Sequence, residues 1–147
     1  LPEHHRRGLR DAVAAGDVGA VARHAAALSG CGPGLTPSGD DFLAGWMLAL
    51  WATHHPGRQA LCETICRSAQ GRTTRLSLAF LEAARRGEAD QRWHNLLLAL
   101  SEGGEGDVDT IAAAMAAISS FGATSGVDML DGFVEGISVV TQPTCGQ

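Results

Sequence analysis

Residues 34–45 read GLTPSGDDFLAG, and residues 125–132 read SGVDMLDG. Both segments contain the pattern Ser-Gly-x-Asp-x-Leu-x-Gly, and a threonine stands just before each serine, Thr36 in the first copy and Thr124 in the second. Each copy is typical of a loop that leads into the N-terminus of a helix, where backbone N–H groups have no helical partner. We therefore expect two helix N-termini to face one ligand.

Helical periodicity runs through the rest of the chain, and no alternating strand of convincing length is present. Glycine and proline residues divide this pattern into about eight short helices. The sequence therefore predicts an all-α fold, a compact bundle of these helices. The predicted helices cover about residues 3–15, 17–29, 39–54, 57–69, 73–86, 89–101, 108–120 and 126–140. The third helix is apolar on nearly every face, which predicts a buried central position. We expect residues 103–106 and the tail 142–147 to be mobile.

The two motif copies also predict how two of these helices pack. In each copy the serine, the aspartate and the second glycine fall at positions i, i+3 and i+7, which share one helix face. A glycine within a helix costs about 1 kcal/mol relative to alanine, so its presence at the same place twice indicates a close helix crossing. We expect Gly45 and Gly132 to lie at this crossing, within an internal quasi-two-fold repeat of the motif.

The composition limits the class of protein. The chain has 147 residues, 45% of them hydrophobic, which is typical of a single domain over residues 1–147. A net charge of −5 and the absence of lysine give no basic face for a nucleic acid. The longest apolar run, residues 42–52, is shorter than the ~20 residues that a membrane span requires. We expect a cytoplasmic protein with no nucleic-acid or membrane partner, and the first residue, Leu1, suggests a piece of a longer protein.

The acidic residues of the motif have a structural and a functional interpretation. Ser38 with Asp41, and Ser125 with Asp128, have the spacing of a capping box, in which side chains satisfy the free N–H groups of a helix N-terminus. A helix N-terminus attracts an anion, yet Asp40 and Asp41 put two negative charges there. The carboxylates could serve as caps, bind a Mg²⁺ ion that bridges to the anion, or accept hydrogen bonds from an amide or carbamoyl NH₂ group.

A third segment, GRTTRLS at residues 71–77, supplies hydroxyls and two guanidinium groups of the kind that bind carboxylate or phosphate. Its structural alternative is a threonine-capped surface helix with solvated arginines. The candidate catalytic residues are Asp40, Asp41 and Asp128. The candidate ligand-binding residues are Gly34, Thr36, Ser38, Gly39, Arg72, Thr73, Thr74, Ser77, Thr124, Ser125 and Gly126. Whether a metal is used stays open, with Mg²⁺ as the candidate.

Residues 32–45 resemble the signature of the bacterial AllH family, and residues 73–84 and 122–132 look like later blocks of that family. The family includes a subunit of oxamate carbamoyltransferase. The resemblance implies a role in allantoin or purine nitrogen catabolism, with transfer of a carbamoyl group between oxamate and phosphate on an assembly of several subunits. Because members of the family are longer, it also implies that this chain is the C-terminal part of a longer protein.

The resemblance implies roles for the candidate residues. The hydroxyls and glycines of the two motif copies would bind phosphate or oxamate oxygens, the three aspartates would orient the carbamoyl NH₂ or a metal, and Arg72 or Arg75 would neutralise the anion. Two other classes remain open, a non-catalytic structural or regulatory subunit and a Mg²⁺-dependent hydrolase. The partners expected are a small anionic ligand, other carbamoyltransferase subunits and a second copy of the chain.

Overall fold

The computed structural model of the chain describes residues 1–101 and 108–141, and the expected mobile loop at 103–106 and tail at 142–147 lie outside this range. The described residues form helices joined by short turns, with no strand among them, and the all-α prediction is confirmed. The helices are α1 Glu3–Ala15, α2 Val18–Leu28, α3 Ser38–Ala52, α4 Arg58–Ala69, α5 Arg75–Arg85, α6 Gln91–Ser101, α7 Val108–Ser119 and α8 Ser125–Thr141. Each predicted helix is present, with ends that agree to within about two residues.

The α3 helix is the centre of the bundle, as its apolar sequence predicted. Every residue from Gly39 to Leu50 is buried, because α2, α4, α5 and α8 all pack against this helix. Its largest side chains, Phe42, Trp46 and Met47, have no solvent exposure and fill the core. Within the residues that the structure describes, no helix is both long and apolar enough to cross a bilayer.

The main packing contact of the bundle is the crossing of α3 and α8. A Cβ atom added to Gly45 would overlap the carbonyl oxygen of Met129, and one added to Gly132 would overlap the carbonyl oxygen of Phe42. Each helix therefore lies with its backbone directly against a glycine of the other. The close crossing expected at these two glycines is present, while the wider quasi-two-fold repeat stays a prediction.

Because backbone and not side chain opposes each missing Cβ, the crossing cannot relax by a rotamer change. We expect Gly45→Ala to lower the free energy of unfolding by about 1–3 kcal/mol, the usual cost of forcing extra volume into a packed core. Chemical denaturation followed by circular dichroism measures this loss. The matched control is Gly19→Ala on α2, where a Cβ would meet its nearest neighbour, an oxygen of Asp17, at 3.4 Å.

The control substitution should be neutral or stabilising by up to about 1 kcal/mol, because alanine has the better helix propensity. Similar effects of the two substitutions would show that the crossing is looser than the structure indicates.

Candidate functional site

Asp40 is a buried structural link between three parts of the chain. The residue is only 1% exposed. The Oδ1 atom accepts a hydrogen bond from the backbone N–H of Gly30 over 3.1 Å. The Oδ2 atom accepts hydrogen bonds from the hydroxyls of Ser77, over 2.9 Å, and Thr73. Asp40 thereby joins the turn after α2 to the beginning of α5, and its hydrogen bonds compensate for the burial of its charge.

The segment at residues 71–77 serves this same structural link. Thr74 is the N-cap of α5, where its Oγ1 accepts from the N–H of Ser77 over 3.0 Å and donates to the carbonyl oxygen of Leu35 over 2.5 Å. Thr73 and Ser77 are bound to Asp40. The two guanidinium groups predicted to meet an anion belong to Arg72 and Arg75, which are exposed on the surface. The structure therefore binds the hydroxyls of this segment to the first motif copy and its preceding loop, while its two charged side chains are exposed.

The first motif serine is not a helix cap of the predicted kind. Ser38 is the first residue of α3, whose N-cap is Pro37, and no side chain caps this N-terminus. The capping-box interpretation of Ser38 is therefore wrong. Ser125 is the first residue of α8, and its Oγ lies 2.9 Å from Oγ1 of Thr36. This hydroxyl pair joins the two motif copies, which the sequence separates by most of the chain.

The glycine after each serine donates its backbone N–H within the protein. Gly39 donates to the carbonyl oxygen of Cys31 over 2.9 Å, and Gly126 donates to that of Phe121 over 3.0 Å. At both positions a Cβ atom would also overlap the end of the preceding helix. These glycines therefore fix the entry of the chain into each helix, and their N–H groups are already occupied rather than free for an anion.

Asp41 is buried like Asp40 but lacks its hydrogen bonds at one oxygen. The residue is 6% exposed, and its buried Oδ2 has no hydrogen-bond partner in the described part of the chain. Burial raises the pKa of Asp41 to about 6, against the hydrogen bonds that the hydroxyls of Ser125 and Thr36 provide, and the nearby charges of Asp128 and Asp40 raise it further. The buried Oδ2 of Asp128 likewise has no partner within the described residues.

A cavity of about 300 Å³ opens beside Asp41. Asp40, Asp41 and Ser77 line it together with mostly apolar residues. The ionisable side chains that line it in the described structure also include Glu88 and Asp90, and all of them are acidic. Those two are paired with arginines, Glu88 with Arg86 over 2.8 Å and Asp90 with Arg92 over 2.6 Å. These hydrogen bonds hold the pKa values of both carboxyls below their usual range.

The family model described as oxamate carbamoyltransferase subunit AllH matches residues 28–137. This chain belongs to the AllH family. The matched range contains both motif copies, the hydroxyl pair between them and all residues named above as lining the cavity. The resemblance inferred from the sequence is therefore confirmed, and no solved structure matches the chain.

The AllH-family fold brings together only part of the predicted site. Thr36, Asp41, Ser125 and Asp128 meet where α3 and α8 begin, as the doubled motif predicted. Gly34 and Thr124 are exposed in the loops before these helices, and Gly34 has a φ of 95°, which favours glycine. Among the residues that the structure describes, no group of three or more His, Cys, Asp or Glu side chains could hold a metal ion.

The sequence interpretation missed the aromatic walls of the cavity. Phe80 of α5, Trp93 of α6 and Phe121 in the turn before α8 all line it. One signal was present, because Phe121 stands four residues before Ser125 of the second motif copy and remains partly exposed although it is a large apolar side chain. The places of Phe80 and Trp93 depend on how α5 and α6 pack, which no local pattern specifies.

The different surroundings of the adjacent aspartates predict different mutant stabilities in this AllH-family chain. Asp40→Ala leaves the N–H of Gly30 and the hydroxyls of Thr73 and Ser77 without their acceptor, so we expect the free energy of unfolding to fall by about 3 kcal/mol. Urea denaturation measures it. The control is Asp11→Ala at an exposed position on α1, which should change stability by less than about 0.5 kcal/mol. A loss no larger than the control would contradict the structural role of Asp40.

Asp41 should make stability depend on pH in a distinctive direction. Its folded-state pKa of about 6 lies above its ordinary value of 3.8, so the folded protein holds this proton more tightly than the unfolded chain. The stability that this proton contributes is complete below about pH 3.8 and is lost as the pH rises through 6. A pKa difference of roughly two corresponds to about 3 kcal/mol.

The measurement compares wild type with Asp41→Asn at several pH values between 4 and 8, so that contributions from all other groups cancel. Wild type should lose stability relative to Asp41→Asn as the pH rises, because only wild type acquires a buried charge. A difference that stays constant with pH would mean that Asp41 is not desolvated.

Proposed function

We propose that this chain contributes a ligand site to an oxamate carbamoyltransferase, and that Asp41, supported by Asp128, binds the amide NH₂ group of the substrate there. The match to the AllH family supports the reaction. The observation that carries the residue assignment is the unpartnered, buried Oδ2 of Asp41 beside a cavity. A buried acceptor without a donor is costly, and a bound N–H group removes this cost.

The charges around the cavity favour an N–H donor over a bare anion at this position. Asp40, Asp41 and Asp128 lie close enough for the charges of the other two to raise the pKa of Asp41. The backbone N–H groups of Gly39 and Gly126, which would attract an anion, are occupied. A ligand such as oxamate therefore places its NH₂ group toward Asp41 and directs its carboxylate away from the three aspartates.

The same arrangement suits the chemistry of carbamoyl transfer. When the amide nitrogen of oxamate attacks the carbamoyl carbon, the new C–N bond forms, the C–O bond to phosphate breaks and the nitrogen loses a proton. Asp41 accepts a hydrogen bond from this nitrogen and takes its proton. A carboxyl group with a pKa of about 6 is well matched to accepting a proton near neutral pH. The remaining contribution is positioning, since the Thr36–Ser125 pair holds the two helix N-termini in register.

Three ligands of nearly the same shape test this proposal. Oxamide has two NH₂ groups and no charge, oxamate has one NH₂ group and one negative charge, and oxalate has two negative charges and no NH₂ group. We expect the rise in melting temperature of the chain to follow the order oxamide, oxamate, oxalate, because a ligand that binds only the folded state stabilises it in proportion to its affinity. Differential scanning calorimetry at pH 7.5 measures the order.

Asp41→Asn should weaken the preference for oxamide over oxalate, whereas Asp109→Asn at an exposed position on α7 should leave it unchanged. In a transfer assay with the partner subunits present, Asp41→Asn should lower the rate by a factor of about 10²–10⁴, the usual contribution of a general base. Failure of all three ligands to stabilise the chain, or a full rate in Asp41→Asn, would leave a non-catalytic structural subunit as the better description.

A further inference from the structure

The cavity beside Asp41 is larger and more apolar than oxamate requires. We propose that it binds carboxamides with a planar apolar body, with the NH₂ group at Asp41 and the body between the side chains of Phe80 and Phe121. This inference rests on the proposed function, because it uses the same N–H recognition at Asp41, and it extends the ligand class of the site beyond short acids.

The size of the cavity is the first support. A volume of about 300 Å³ corresponds to roughly ten water molecules at ~30 Å³ each. It lies at the lower end of the range found for sites that enclose drug-sized ligands, which begins at about 300 Å³. Two linked carbonyl carbons with their substituents, as in oxamate, would leave most of this space to water, whereas a six-membered ring with a carboxamide would occupy a larger share of it.

The walls are the second support. Trp93 is 3% exposed and is held by an edge contact with Phe133, with 5.1 Å between ring centroids. The guanidinium of Arg92 lies 4.3 Å from the ring centre of Phe121 and covers it. These contacts hold Trp93 and Phe121 in place in the absence of a ligand. Phe80 and Phe121 remain 46% and 37% exposed at the cavity, so a planar ring placed there would bury aromatic surface that water now contacts.

The distribution of polar groups orients such a ligand. Asp41 presents a buried oxygen without a donor, while Asp40 and Ser77 are bound to each other. Glu88 and Asp90 are already paired with Arg86 and Arg92. Asp41 is therefore the lining carboxyl with a buried oxygen left for a ligand, and the ionisable groups of the described lining are carboxylates. An amide fits this arrangement, and a carboxylate of the same shape is repelled.

Benzamide and benzoate provide the matched probes, because they differ in the NH₂ group and the charge and share the ring. Isothermal titration calorimetry on the full chain at pH 7.5 should detect benzamide binding, with benzoate at least tenfold weaker. Phe80→Ala and Phe121→Ala should each weaken benzamide roughly three- to tenfold, which is the range expected from loss of an aromatic contact. Oxamide binding should stay within about twofold in both variants. Leu98→Ala, which removes an exposed apolar side chain outside this cavity, should change neither ligand.

The outcomes separate this inference from the function on which it rests. Binding of oxamide without binding of benzamide would overturn the planar-ligand inference and leave N–H recognition at Asp41 intact. Equal binding of benzamide and benzoate, or benzamide binding unaffected by both phenylalanine variants, would also overturn it, because the ligand would then lie elsewhere. If neither oxamide nor benzamide binds, the proposed function itself fails.

Discussion

The crossing of α3 and α8 determines where every important group of this protein lies. At Gly45 and Gly132 the two helices touch backbone to backbone, closer than any side chain would permit. This contact brings the beginnings of the two helices side by side, so that Thr36 reaches Ser125 and a hydroxyl pair can form. Asp41 then becomes buried at a junction of two helices rather than exposed at the end of one. The cavity beside Asp41 is lined by residues of α3 and α8 together with residues of α5 and α6.

Two adjacent carboxylates show how much the direction of a side chain matters. Asp40 and Asp41 are neighbours in sequence and are both buried, but a helix turns by about 100° between consecutive residues. Asp40 therefore points toward the turn after α2 and the beginning of α5, where three groups donate hydrogen bonds to it. Asp41 points toward α8, where the neighbouring carboxyl of Asp128 adds repulsion. One residue stabilises the fold, and the other retains the unsatisfied acceptor that a ligand can use.

Much of this arrangement could be predicted from the sequence because it rests on local signals. Helix periodicity and glycine positions predict the helices, and the repeated glycine predicts the crossing at Gly45 and Gly132. The positions of Arg72 and Arg75 could not be predicted in the same way. Their chemistry suits an anion, but the hydroxyls of Thr73 and Ser77 bind Asp40 while Arg72, in the turn before α5, and Arg75, its first residue, are exposed. Such exposure depends on tertiary contacts, which a single sequence does not display.

The raised pKa of Asp41 has a consequence for how ligand binding in the cavity depends on pH. Under the proposed recognition at Asp41, an N–H donor that enters the cavity stabilises the charged carboxylate, so binding releases a proton wherever the unliganded protein still carries one. Binding and proton release would then be thermodynamically coupled around pH 6. At lower pH such a ligand would first have to displace this proton, so its affinity for the cavity would fall as the pH falls.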